Sequence, residues 1–163
     1  MVLEHLIKSD SVLCNAQARS KKHCLEILSE LLANNNPDLA NEEIFANLIE
    51  RERLGCTGLG DGVAFPHCRI SGLRNSCAAL MKLSEPVDFD AADGKPVDLV
   101  FGMMVPEEIS AAHYADISQL PDFLKDEALR ARLRAANSSG DLYEALMLGQ
   151  FEPAPSMHGS QNA

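Results

Sequence analysis

The sequence predicts a layered α/β domain, and three observations carry that reading. Apolar residues recur at helical spacing near both ends of the chain, and short β-like runs occupy the centre. Between them Gly55, Gly58, Gly60 and Gly62 fall within eight residues. Helices on either side of a strand-rich centre pack as layers over a shared core. A chain of 163 residues suits one such domain. The order of the strands is not legible in this pattern.

Taken in order, the N-terminal part reads as helical. Ser20 is the expected cap of a helix running to about residue 33, in which Leu25, Leu28 and Leu32 recur at helical spacing, flanked by Ile27 and Leu31. Asn34, Asn35, Asn36 and Pro37 end it. Asn41 is the expected cap of a second helix, with Glu42 and Glu43 in the first turn, where negative charge is favoured. Its apolar stripe is Ile44, Phe45, Leu48 and Ile49, and it stops near Arg53, just before Gly55. The β-like runs are 63–65, 76–83 and 97–105. The last is almost unbroken in apolar residues, which fits a strand buried on both faces or a short core helix. Asp93-Gly94-Lys95-Pro96 reads as a turn. Helices are expected over about 110–120 and 126–136, and a last one after Ser138-Ser139-Gly140-Asp141. Residues 150–163, with Pro153, Pro155 and Gly159, read as a mobile tail, which leaves 1–149 as the domain.

Composition excludes several classes. The formal net charge of −10 argues against a nucleic-acid backbone or an anionic membrane surface as partner. No apolar run approaches the roughly 18 residues of a membrane-spanning helix, and no basic segment precedes an apolar core at the N-terminus. A cytoplasmic location without membrane insertion is the expectation. Five cysteines, Cys14, Cys24, Cys56, Cys68 and Cys77, are odd in number and lack C-x-x-C spacing. They read as reduced thiols rather than a disulfide framework or a structural zinc site.

The segment from Arg51 to His67 carries the most chemistry. Its glycines permit tight turns and close approach of a ligand or partner backbone. Pro66 restricts Phe65 to an extended conformation and stiffens the approach to His67. With an ordinary pKa of about 6.5, a histidine there offers a neutral ring nitrogen as nucleophile. Gly-Leu-Gly-Asp-Gly-Val opens no predicted helix, so it is no dinucleotide fingerprint, and no Gly-Lys-Ser/Thr follows to make a P-loop. On spacing alone, His67 stays open between a nucleophile and a turn residue.

Read whole, Arg51 to His67 resembles the active-site signature of enzyme IIA components of the phosphotransferase system, fructose/mannitol type. Arg51, Glu52, Thr57, Leu59, Gly60, Val63, Ala64, Pro66 and His67 fit it. Pro86-Val-Asp-Phe-Asp-Ala, Pro96-Val-Asp-Leu-Val-Phe, Ser20-Lys-Lys, Arg132-Leu-Arg-Ala-Ala and His113 are also similar to the family. The likeness covers about 3–148 and is nearest to the nitrogen-regulatory branch.

That resemblance implies a central mixed β-sheet flanked by helices and a phosphohistidine relay that needs no cofactor and no metal. His67 matches the histidine that accepts phosphate from a histidine phosphocarrier protein. His113 matches a second active-site histidine near the phosphorylated ring, and Arg51 an arginine that offsets phosphoryl charge. Thr57 is a candidate donor to phosphate, and Gly58, Leu59, Val63 and Phe65 are the expected partner surface. Regulated kinases or transporters are the implied targets. The alternatives are a sugar-feeding enzyme IIA that passes phosphate to a separate IIB permease component, an unphosphorylated binding regulator, and a metal site of His67, Cys68 and His113. Three residues depart from the family. Cys68 stands where glycine is usual and invites thiol sensitivity if exposed; Cys56 replaces a serine; Pro121 is expected to kink or end the helix after His113.

Overall fold

The computed structural model describes residues 2–150, and within them the side chains of all but Ala112, His113 and Asp116. The elements are α1 (Leu3–Leu6), β1 (Val12–Ala16), α2 (Lys21–Ala33), α3 (Asn41–Leu54), β2 (Gly58–Gly60), β3 (Val63–Ala64), β4 (His67–Ile70), β5 (Cys77–Val87), β6 (Val97–Pro106), α4 (Ala111–Leu124), α5 (Glu127–Ala135) and α6 (Ser139–Gly149). The six strands form one mixed sheet in the order β1-β5-β6-β3-β2, with β4 also paired to β6. β5 and β6 run antiparallel, whereas β1 pairs β5, and β3 and β4 pair β6, in parallel.

The apolar run 97–105 is therefore a strand, β6, at the centre of the sheet and buried along its length. Alternation along it feeds two cores. Leu99, Phe101, Met103 and Val105 join Leu120, Leu124, Leu129, Leu133, Leu142 and Leu146 of α4–α6 on one face. Val97, Val100 and Met104 join Leu25, Leu28, Leu32, Ile44 and Leu48 of α2 and α3 on the other. Gly102 lets α2 approach: a Cβ there would lie 2.4 Å from the Leu28 side chain.

Ser20 caps α2 as expected, accepting a hydrogen bond from the His23 backbone N–H. Elsewhere the structure corrects the sequence reading. The N-terminal part is not all helical, because Val12–Ala16 forms the edge strand β1 beside β5. The cap of α3 is Ala40, without a side-chain bond, and Asn41 is already helical. β5 continues to Val87. α4 runs on to Leu124 with Pro121 inside it. An interior proline loses one helical hydrogen bond and crowds the carbonyl one turn earlier, but buried Leu120 and Leu124 on either side of Pro121 hold the helix against the core. Gln150 is tied back to the domain: its side chain accepts from the Leu3 N–H at 3.0 Å and donates to Glu4 at 2.9 Å. The rest of the expected tail, 151–163, lies outside the described residues. Among the described residues no helix is long and apolar enough to cross a membrane.

Candidate functional site

His67 is placed by a strand that Pro66 interrupts. β3 and β4 share one register against β6, with Val63 opposite Leu99, Ala64 opposite Val100 and His67 opposite Met103. Pro66 has no N–H for the ladder, yet its carbonyl accepts from Met103 N at 3.0 Å. Period-2 alternation then sorts the side chains. Val63 and Phe65 face the α4–α6 side, whereas Ala64, Cys68 and Ile70 are buried toward α2 and α3. His67 falls on the α4–α6 side, half-buried, with its ring stacked 4.7 Å from that of Phe65.

One ring nitrogen is already engaged. Nδ1 of His67 lies 2.9 Å from the Phe65 carbonyl oxygen. A carbonyl only accepts, so Nδ1 carries the proton, and in the neutral ring the lone pair sits on Nε2. Burial lowers the His67 pKa below its ordinary value, and the nearby Arg51 charge lowers it further; the Phe65 carbonyl and the Glu52 carboxylate act in the opposite sense. The net direction favours the neutral, nucleophilic ring.

Two adjoining hollows share Arg51, His67, Tyr114 and Ile117. One, of about 390 Å3, adds Cys56, Thr57, Gly58, Leu59, Phe65, Ser118 and Pro121. The other, of about 670 Å3, extends past Asn47, Glu50, Leu54, Arg69 and Glu107. Arg51 stands in the last turn of α3, where its Nη1 donates to the Gly55 carbonyl at 3.2 Å. Its guanidinium thus supplies positive charge at the lip beside His67.

Thr57 lines the same hollow, with its hydroxyl engaged inside the protein. Its hydroxyl is 2.7 Å from Glu52 Oε1 and its N–H 3.0 Å from Glu52 Oε2. A carboxylate accepts only, so the single hydroxyl proton is directed to Glu52. This geometry does not favour Thr57 as a donor to phosphate. His113 lies on α4 next to Tyr114, and its side chain is outside the described residues. Val63 and Phe65 belong to the core rather than to a partner surface. The exposed apolar groups at the rim are Leu54 and Tyr114, 84% and 65% exposed. Nothing in their sequence pattern marks either as surface-directed, since Leu54 continues a helix and Tyr114 lies in a mostly apolar segment.

The departures also find places. Cys68 is buried, and burial pushes its thiol up to about 12, which removes the expected thiol sensitivity. Cys56 is exposed at the hollow; its sulfur accepts from the Gly58 N–H at 3.2 Å and donates to the Phe89 carbonyl at 3.3 Å. His67 and Cys68 point to opposite faces of β4, and no three metal-ligating side chains cluster among the described residues.

Residues 5–147 match the sequence profile of the family described as "Phosphoenolpyruvate-dependent sugar phosphotransferase system, EIIA 2". A "Nitrogen regulatory protein" of Pseudomonas aeruginosa is 41% identical over 145 residues, 89% of this chain and 94% of that protein. The crystal structure of nitrogen regulatory protein IIA-Ntr from Neisseria meningitidis superposes with a TM-score of 0.80 at 33% identity, covering 87% of this chain and 97% of that one. The IIA mannitol structure from Escherichia coli shares the fold at a TM-score of 0.68 and 22% identity, over 85% and 97% of the two chains.

Proposed function

The chain belongs to the EIIA 2 family of the phosphoenolpyruvate-dependent sugar phosphotransferase system, and from that premise we propose that it is a phosphohistidine relay of the nitrogen-regulatory kind with His67 as acceptor. The observation that carries this reading is the 2.9 Å contact between His67 Nδ1 and the Phe65 carbonyl. It assigns the lone pair to Nε2 in a ring that lines an open hollow beside Arg51.

The donor is a phosphohistidine on a small phosphocarrier protein, itself charged by a phosphoenolpyruvate-dependent enzyme. Nε2 of His67 attacks the phosphorus in line, and the Nε2–P bond forms as the donor's N–P bond breaks. The donor ring leaves with the pair of electrons from that bond. The proton of His67 stays on Nδ1, hydrogen-bonded to the Phe65 carbonyl, so no proton moves at the acceptor. Such a transfer needs positioning and charge stabilisation more than covalent help. Arg51 supplies the charge, and its planar guanidinium suits phosphate oxygens. His113 is the proposed second histidine of the site, Thr57 a residue that shapes it, and no metal or cofactor takes part.

Regulation follows from charge. By analogy with other phosphorylated side chains, the adduct adds about −1.5 to −2 at neutral pH. That charge appears in the hollow that Leu54 and Tyr114 also line, two exposed apolar groups suited to a protein partner. A kinase or transporter docking there in one state is disfavoured in the other. The relatives named as nitrogen regulatory proteins support this reading.

Intact-mass spectrometry after incubation with phosphoenolpyruvate, the general phosphotransferase enzyme and its phosphocarrier tests it, with wild type and His67→Ala side by side. One acid-labile phosphoryl adduct on wild type alone is expected. Loss of that adduct on adding a IIB component would favour the sugar-feeding reading that the family description also allows. No adduct on folded wild type would leave a pure binding regulator.

A further inference from the structure

Glu52 belongs to no step described so far, yet it is a carboxylate only 5% exposed in its side chain, one residue from Arg51. Burying a charge is costly unless it is paired and hydrogen-bonded. Both its oxygens are occupied. Oε2 pairs with Lys21 Nζ at 2.9 Å and accepts the Thr57 N–H at 3.0 Å, while Oε1 accepts the Thr57 hydroxyl at 2.7 Å. Lys21, the first residue of α2, is fixed in turn: it donates to the Phe89 carbonyl at 3.3 Å and lies 5.2 Å from the centroid of the Phe89 ring.

The contacts continue to the reacting ring. The Thr57 carbonyl accepts from Phe65 N at 2.9 Å, and the Phe65 carbonyl holds His67 Nδ1 at 2.9 Å. An unbroken series therefore runs Lys21–Glu52–Thr57–Phe65–His67, across α2, α3, the β2 segment and the strand that bears the histidine. From this geometry we infer that Glu52, held by Lys21, is a positioning residue for phosphoryl transfer. It acts through Thr57 and Phe65 to fix the orientation and tautomer of His67. The inference rests on His67 being the phosphoryl acceptor for its kinetic consequence, but the fixing of the ring is testable without any phosphate.

Two variants and two readouts test it. Glu52→Gln removes the charge and nearly keeps the shape. Thr57→Val removes the hydroxyl while leaving the Lys21–Glu52 pair in place, and so keeps the test open if Glu52→Gln fails to fold. Thr57→Ser is the conservative control. The first readout is the nitrogen NMR signature of the His67 ring over a pH titration of the unphosphorylated protein. Among the described residues, the titratable and charged groups around that ring are Glu50, Arg51 and Glu52 from α3, Cys56 just after it, Tyr114 from α4, Arg69 from its own strand and Glu107 beyond β6. The second readout is phosphoryl uptake from the phosphocarrier as a function of its concentration.

Wild type is expected to hold the Nδ1–H tautomer. Both folded variants are expected to show a mixture of tautomers and kcat lower by roughly ten- to a hundredfold, the cost of a misplacement of order 1 Å at a reacting group. KM is expected to change by less than about twofold, because the docking rim is intact, and Thr57→Ser to recover most of the rate. Glu52→Gln is further expected to titrate His67 at lower pH than wild type, since the lost negative charge no longer offsets Arg51. A wild-type tautomer in folded Thr57→Val would overturn the inference, as would a rate loss carried wholly by KM. Altered tautomers in a protein that takes up no phosphate would instead uphold the positioning series and overturn the acceptor assignment.

Discussion

Phe65 and His67 are joined twice: the Phe65 carbonyl holds His67 Nδ1 at 2.9 Å, and the two rings stack at 4.7 Å. The residues are two apart on one strand, so both face the α4–α6 side, with Pro66 between them stiffening the chain. The backbone contact sets which nitrogen is free, and the ring contact sets the plane of the imidazole. Phe65 is itself anchored in the core, 6.0 Å from the Phe101 ring.

Separating these two contacts gives the first test. Phe65→Leu removes the ring but keeps the carbonyl. It is expected to cost about 1 kcal/mol of stability, as volume-similar apolar exchanges do, measured by urea unfolding. The Nδ1–H tautomer is expected to persist while phosphoryl uptake slows. Loss of the tautomer would mean that stacking, not the carbonyl, fixes it.

A pH prediction follows from the direction of the His67 shift. Its folded pKa lies below the ordinary 6.5, first through burial and then through Arg51. The unfolded chain therefore binds a proton there before the folded one does. Above about pH 6.5 both states are neutral at this position and it contributes nothing to the pH dependence of stability. As pH falls below that value the folded state loses stability until the folded pKa is reached. His67→Gln is expected to flatten this part of the stability profile. In the kinetics, the acid limb of phosphoryl uptake is expected below pH 6.5, and Arg51→Ala is expected to move it toward higher pH while lowering the rate. A limb unmoved in Arg51→Ala would contradict the field assigned to the guanidinium.

Thiol chemistry separates the cysteines. Cys24 and Cys68 are buried with thiols pushed up to about 12, and Cys77 to about 11. Cys56 is exposed at the hollow. Alkylation of the folded protein, followed by peptide mass spectrometry, is expected to label Cys56 first and Cys68 only on unfolding. Labelled Cys56 is expected to obstruct phosphoryl uptake, and Cys56→Ser to restore uptake under the same treatment.

Gly102 tests the packing beneath the site. An added Cβ would lie 2.4 Å from Leu28, which is fully buried. Gly102→Ala is expected to destabilise by about 1–3 kcal/mol, the usual cost of overpacking, and Leu28→Ala by about 2–5 kcal/mol. The double variant is expected to cost less than the sum, because each change relieves the other. Strict additivity in chemical unfolding would place the strain elsewhere.

Much of this was legible in the sequence, and the failures have physical causes. α2 showed its leucine stripe and Ser20 its cap, because both are local signals. The buried strand β6 showed as an apolar run, and only its pairing decided strand over helix. β1 was hidden because five residues with Asn15 at φ 59 carry little periodic signal. At the site, His67 and Arg51 were marked by the resemblance and brought to one hollow by the fold. The hydroxyl partner of Thr57 was not legible, because Glu52 lies on the preceding helix turn and no spacing announces that bond. The Lys21–Glu52 pair joins the first turn of α2 to the last turn of α3, and no local spacing announces such a contact.

The most direct test is phosphorus–nitrogen NMR of the phosphorylated protein with its histidines labelled. Coupling of phosphorus to Nε2 of His67, with Nδ1 still protonated, is expected. Phosphorus on Nδ1, or on any residue other than His67, would contradict the account.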